Sequence, residues 1–182
     1  MKRNVVGVIL LTVFVILAGC GKSNTKIPVS GNSTDMIKAP LINTEGTEMG
    51  EVTITEDNKG VTIRVVAEGL TPGTHGFHIH EKGECTPPTF ESAGGHFNPT
   101  NKEHGFENPK GFHLGDLPNI QVEKDGTIDA TVTTAEVTLQ KGKENSILDE
   151  DGSTIMIHEN ADDYKTDPAG NAGDRIACAV IE

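Results

Sequence analysis

The sequence predicts an all-β domain, an antiparallel sandwich or barrel of about eight strands. Three observations carry that expectation. The 182-residue chain holds only six Phe, one Tyr and no Trp, against 21 Gly and many Thr, Val and Ile, a mixture that favours strands joined by turns over a helix bundle. Several short stretches alternate apolar with polar residues, as half-buried strands do, and none keeps a convincing 3.6-residue period. Clusters of Gly, Pro, Asn and Asp punctuate these stretches as turns.

The first segment stands apart from that domain. Met1-Lys2-Arg3-Asn4 is a basic head and Val5 to Ile16 an apolar run, too short to span a bilayer but suited to the hydrophobic part of an export signal. It ends in LAGC (Leu17 to Cys20), which resembles the lipobox of bacterial lipoproteins. That resemblance implies cleavage after residue 19 and a diacylglycerol on the Cys20 sulfur, enough acyl chain to hold a protein stably on a membrane. Residues 20–35 then form the lipidated cysteine and a flexible polar tether, and residues 36–182 the folded domain. Losing residues 1–19 removes Lys2 and Arg3 and no acid, which takes the formal charge from −12 to −14. So acidic a chain argues against nucleic acid or an anionic membrane surface as its main partner.

Within the domain, EVTITEDNKGVTIRVV (51–66) alternates Val52 and Ile54, then Val61, Ile63 and Val65, around a DNKG turn, and reads as a hairpin. IQVEKDGTIDATV (120–132) repeats the design around Asp125-Gly126. STIMIHE (153–159) and RIACAVIE (175–182) are further strand candidates. Two segments break the rhythm. Residues 84–118 are crowded with Pro and Gly, and a loop of that length inside a compact domain is usually functional or disordered. ADDYKTDPAGNAGD (161–174) is a second, shorter loop. With Cys20 lipidated, Cys85 and Cys178 remain as an even pair in an exported protein, which favours a disulfide. Two free buried thiols are the alternative. The cross-link closes a long loop and is worth roughly 4–5 kcal/mol in the chain-entropy account.

Of seven histidines, three lie in THGFHIH (74–80). On a strand, residues two apart share a face, so His78 and His80 point one way while Phe77 and Ile79 point into the core. By the same parity His158 lies opposite Ile155 and Ile157. His75 shares the parity of Phe77 and reads as a structural hydrogen-bonding residue. His96, His104 and His113 fall in the overlong loop, with Asp116 three residues after the last. Imidazole suits zinc and copper, a carboxylate completes a tetrahedral zinc site, and copper(II) prefers a tetragonal nitrogen field. A lone His-x-His is weak; six histidines confined to two strands and one loop point to metal.

GFHIHEKGEC, SAGGHFNP, HGFENPKGFHLGDLPN, IHENADD and GNAGDRIACAVI resemble the successive signature blocks of copper/zinc superoxide dismutases, over roughly residues 36–182. The resemblance implies an eight-stranded antiparallel Greek-key β-barrel, immunoglobulin-like, with two long functional loops. It also implies one copper and one zinc ion per subunit, and conversion of superoxide to oxygen and hydrogen peroxide. By it, the copper ligands are His78, His80, His96 and His158, and the zinc ligands His96, His104, His113 and Asp116. His96 then bridges both metals, which requires its imidazolate form because a neutral ring has one free lone pair. The resemblance also makes Cys85–Cys178 the disulfide tying the long loop to the last strand, and Asp162 the carboxylate linking His78 and His104. It places Arg175 over the copper as a docking point for a small anion. By the same resemblance, His96 carries a proton to the product and forms the catalytic pair with Arg175.

Three features depart from the animal-type pattern. Asn160 stands where those enzymes carry a steering lysine, leaving Lys165, Lys102 and Lys110 as substitutes. The loop before Arg175 is compact. The last strand runs directly into Glu182, which favours a monomer or weak homodimer. The expected partners are superoxide and, through Cys20, the outer face of a bacterial membrane; a non-catalytic copper- or zinc-binding lipoprotein of the same fold is the rival reading.

Overall fold

A computed structural model describes residues 36–182; the export signal, Cys20 and the tether lie outside the described residues. The described chain is all β apart from one 3-10 turn at Glu91–Ala93. Its strands are β1 (Ile37–Asn43), β2 (Glu48–Asp57), β3 (Gly60–Ala67), β4 (Gly73–His75), β5 (Phe77–His80), β6 (Ile120–Val122), β7 (Ile128–Thr134), β8 (Ser153–His158) and β9 (Arg175–Ile181). All pairings between them are antiparallel.

One sheet runs β5-β8-β9-β1-β2-β3-β7, and β4 pairs with β6 in a second. β4 and β5 are parted only by Gly76, whose N–H donates to the Asn160 carbonyl at 2.7 Å and whose carbonyl accepts from His158 N at 2.9 Å. Counted as one interrupted strand they give the expected eight. The sheet then curls into the Greek-key barrel, with β6 against β7.

β2 and β3 form the hairpin read from the sequence, with Asp57 paired to Gly60 across the turn. Their alternation puts Val52, Ile54, Val61, Ile63 and Val65 in the core, all fully buried, beside Phe77, Ile79, Ile155, Ile157, Ala177 and Ile181. Each such aliphatic or aromatic side chain contributes about 1.5–3 kcal/mol by leaving water, and together they make the barrel rigid enough to aim what stands outside it. Residues 120–132 differ from the expectation. The Asp125-Gly126 turn forms, with Glu123 N donating to Thr127 O at 2.9 Å, but β6 pairs with β4 and β7 with β3. The turn residues fix a local reversal; the strands they release are claimed by different neighbours.

The overlong loop has more backbone support than its composition suggests. Phe97 N donates to Ile79 O, Ile79 N to Gly115 O and Gly115 N to Phe97 O, all within 2.8–2.9 Å, so two loop stretches lie along β5 like short strands. Glycine is needed at 115, because a Cβ there would collide with the Ile79 carbonyl. The disulfide Cys85–Cys178 ties the start of the loop to β9.

Candidate metal centre

Phe77 and Ile79 fill the barrel, and the alternation turns His78 and His80 outward beneath the loops, where both are buried. His158 ends β8 at a register shift and faces the same space. The long loop brings His96 against β5 through an isolated bridge to His80, and Asp116 through one to His78. The result is two adjoining groups of side chains able to hold a metal: His78, His80, His96 and His158; and His96, His104, His113 and Asp116. Within each group one ligand atom per residue lies within 4.8 Å of all the others. His96 belongs to both.

Hydrogen bonds select which ring atom each histidine presents. His78 Nε2 donates to Asp162 Oδ2 at 2.8 Å and His80 Nδ1 to Gly94 O at 3.1 Å. His158 Nδ1 donates to Gly173 O at 3.3 Å. That leaves His78 Nδ1 and the Nε2 atoms of His80 and His158 for the first group. His78 Nδ1 and His96 Nε2 are buried without any hydrogen-bond partner, and a buried polar atom so orphaned is costly unless something binds it. On its other side His96 Nδ1 lies 2.8 Å from Asp116 Oδ1 and 3.3 Å from His113 Nδ1. The Nδ1 atoms of His104 and His113 approach the same carboxylate oxygen at 3.0 and 3.1 Å. Three imidazoles converging on one carboxylate match the donor set of a tetrahedral zinc site, and four imidazoles that of a copper site.

Electrostatics separate the groups. Burial, reinforced by the neighbouring His78, pushes His96 and His158 down to about 3. Burial likewise carries His80 well below its ordinary value, and His78 below it despite Asp162. These rings are therefore neutral at pH 7, with lone pairs free for a metal. Burial also lowers His104, but Asp116 and Asp162 outweigh it and raise that group to about 9. Asp116 is held far below the carboxylate range: burial opposes this, and hydrogen bonds from the three histidines prevail.

Asp162 joins the two groups, accepting from His78 Nε2 through one oxygen and from His104 Nε2 through the other, at 2.8 and 3.0 Å. Gly170, at φ 62°, passes so close that a Cβ would strike this carboxylate. Two residues that sequence reasoning passed over hold Asp162. Asn119 accepts from Asp162 N at 2.8 Å and donates to Asp162 O at 2.9 Å. Tyr164 N donates to Asp162 Oδ1, and its hydroxyl accepts from Asn119 N. The only sequence signal for Asn119 is an amide side chain just before β6, too common to single it out. His75 lies apart from both groups, with its ring nitrogens 2.7 Å from the Thr71 and His158 carbonyls.

A cleft of about 480 Å³ opens onto the first group, lined by His80, His96, His158 and Arg175 among others. Among the described residues Arg175 is its only Lys or Arg, and its guanidinium donates to Phe90 O and Gly94 O, each at 2.6 Å. Burial lowers its pKa against the pull of Glu91, and an arginine stays charged at any physiological pH. Of the three candidate steering lysines none lines the cleft, and Lys110 is paired with Glu103 at 2.6 Å.

A Greek-key barrel carrying two contiguous, buried sets of side chains able to ligate metal, with one imidazole common to both, has the donor groups of a binuclear metal centre. The family model described as copper/zinc superoxide dismutase matches residues 48–181, and the chain belongs to that family. It is 54% identical over 144 residues to superoxide dismutase [Cu-Zn] 2 of Aquifex aeolicus, covering 79% of this chain and 84% of that one. It is 47% identical over 175 residues to the superoxide dismutase-like protein YojM of Bacillus subtilis, covering 91% and 89%. Among solved structures, a double mutant of a superoxide dismutase-like protein from Bacillus subtilis, with a tyrosine and a proline each replaced by histidine, superposes with a TM-score of 0.77. It is 53% identical and covers 79% of this chain and 95% of its own.

Proposed function

We propose that the protein is a superoxide dismutase that disproportionates superoxide to oxygen and hydrogen peroxide outside the cytoplasmic membrane. The observation that carries this reading is His96, whose two ring nitrogens face different ligand groups. Copper held by His78, His80, His96 and His158 would supply a one-electron couple, and zinc held by His96, His104, His113 and Asp116 a fixed, redox-inert charge. Arg175 docks the anion beside the four-imidazole group, a local attraction that matters on a chain of such negative charge. His96 Nε2 is the atom that holds a proton when its ring is not shared, and gives it up to the departing peroxide. Asp162 fixes the rings of His78 and His104, so that the two groups keep their spacing as this proton comes and goes.

The proposal includes export as a lipoprotein, with residues 1–19 as signal and Cys20 as the lipidated residue. A disulfide at Cys85–Cys178 fits a compartment outside the reducing cytoplasm. With Met36, Val66 and Phe106 the only large apolar side chains well exposed among the described residues, a monomer or weak homodimer is the expected state.

The rival reading, a metal-holding protein without turnover, draws on the "superoxide dismutase-like" name of one relative. Against it stand the complete four-imidazole group and the fixed Arg175 in the cleft that opens onto it. Reconstitution with copper and zinc decides between them. We expect rapid loss of superoxide in pulse radiolysis, abolished in His158→Ala while zinc is retained. Loaded protein no faster than metal-free protein would establish the rival.

A further inference from the structure

Arg175 is aimed by two carbonyls, and they differ in kind. Gly94 O also accepts from His80 Nδ1, so it belongs to the ligand group itself. Phe90 O touches no ligand; it accepts only from Ala93 N at 3.1 Å and from Arg175 Nη1 at 2.6 Å. Phe90 has φ 53° and ψ 22°, the left-handed region that a bulky L-residue avoids. A residue stays there only when its surroundings over-determine it.

Those surroundings are specific. The Phe90 ring is fully buried in a small apolar cluster, separate from the main core, with Ala93, Met156 and Cys178, and with Cys85 and Ile42 packed against it. Cys85 and Cys178 are the disulfide, and Met156 is paired with His78 across β5 and β8. The Phe90 amide donates to Thr86 O at 3.0 Å. The next residue, Glu91, borders a surface hollow together with Arg175, Glu159 and Asp174, so acidic partners compete for a guanidinium that is not held.

We propose that Phe90 is a positioning residue for Arg175. Its buried ring locks the left-handed turn that presents its carbonyl to the guanidinium, which keeps the positive charge directed at the cleft rather than at Glu91. This rests on the reading of Arg175 as the anion dock. The sequence held no sign of it, because the working atom is a backbone oxygen and the ring acts only through packing.

The test uses the copper- and zinc-loaded protein with azide as the probe, titrated through the copper(II) absorption. Arg175→Ala is the reference variant and should lose azide affinity at least tenfold, by roughly the value of a charge-assisted hydrogen bond. Phe90→Gly keeps the turn accessible but removes the ring; Phe90→Val keeps an apolar side chain but opposes the turn. Each should weaken azide roughly three- to tenfold with the four-nitrogen copper(II) spin-resonance spectrum unchanged. Phe90→Leu, apolar and free of branching at Cβ, should stay within about twofold of wild type. If Phe90→Gly does not fold, Phe90→Val and Phe90→Leu carry the comparison. Wild-type azide affinity in Phe90→Val overturns the proposal, as does loss of the four-nitrogen spectrum, which would make the ring part of the metal site's frame. Unchanged affinity in Arg175→Ala would sink both the dock and its positioning, whereas unchanged affinity confined to the Phe90 variants leaves the dock intact.

Discussion

Removing the disulfide by Cys85→Ala with Cys178→Ala should cost this protein a large part of its stability. The bond spans 93 residues, and the loop-closure expression for a cross-link of that length gives about 4.6 kcal/mol at 25 °C. Domains are stable by only about 5–15 kcal/mol in total, so the variant should sit near the edge of folding. Cys178 is fully buried against Phe90 and Met156, which is why alanine rather than serine is the replacement: it leaves a small void but no unpaired hydroxyl. Urea denaturation of the metal-free proteins measures the difference directly, and calorimetry should place the variant's melting temperature roughly 10–20 °C lower. The loss of the tie also frees the loop whose Phe90 and Gly94 carbonyls hold Arg175, so hydrogen exchange across residues 84–118 should quicken. A stability change under about 1 kcal/mol, with exchange unchanged, would refute the view that this loop depends on its covalent tie.

Other expectations follow from the same geometry. Asp162→Asn offers one acceptor where His78 and His104 each need one, and should weaken zinc binding about 10- to 100-fold in competition with a chromophoric chelator; wild-type affinity would contradict the bridging role. The metal-free protein should be most resistant to urea around neutral pH. His96 and His158, lowered to about 3, are neutral in the fold while the unfolded chain takes up protons below about 6.5, so their contribution is present above that pH and fades as pH falls toward 3. His104, raised to about 9, contributes below 6.5 and loses its effect as pH rises through 9. A urea midpoint at pH 4 equal to that at pH 7 would contradict the first statement, and one that does not fall between pH 7 and pH 10 the second. Cys20→Ser should abolish incorporation of labelled palmitate and release the protein from the membrane fraction; retained label would place the lipid elsewhere.

Much of the fold and the strand-borne members of the candidate site were legible in the sequence because both rest on strand periodicity, while the grouping of His96, His104, His113 and Asp116 came from the family resemblance. The parity that sends Phe77, Ile79, Ile155 and Ile157 inward necessarily sends His78, His80 and His158 to the other face. The β2–β3 hairpin was legible for the same reason, its turn lying between two alternating runs that pair with each other directly across it. β6 and β7 were not, because a turn signal says where the chain reverses and nothing about which strand captures each arm. The break at Gly76 escaped for a similar reason, since it answers to a distant carbonyl on Asn160. Around the site, the histidines that present a side chain were readable from type and spacing, and Asp162 and Arg175 from the family resemblance. Those that act through the backbone or hold a neighbour were not: Phe90 and Gly94 offer carbonyls, Asn119 clips the main chain of Asp162, and Asp167 accepts from His104 N at 2.8 Å. Such contacts depend on where two loops meet, which local patterns do not encode.

The proposed chemistry depends on His96 being shared between a redox-active ion and a structural one. Crystals of the protein loaded with copper and zinc, measured at both absorption edges, test it most directly. A copper peak should lie about 2.0–2.1 Å from His96 Nε2 among His78, His80 and His158, and a zinc peak at a similar distance from Nδ1. Either peak placed away from the ring of His96 would contradict it.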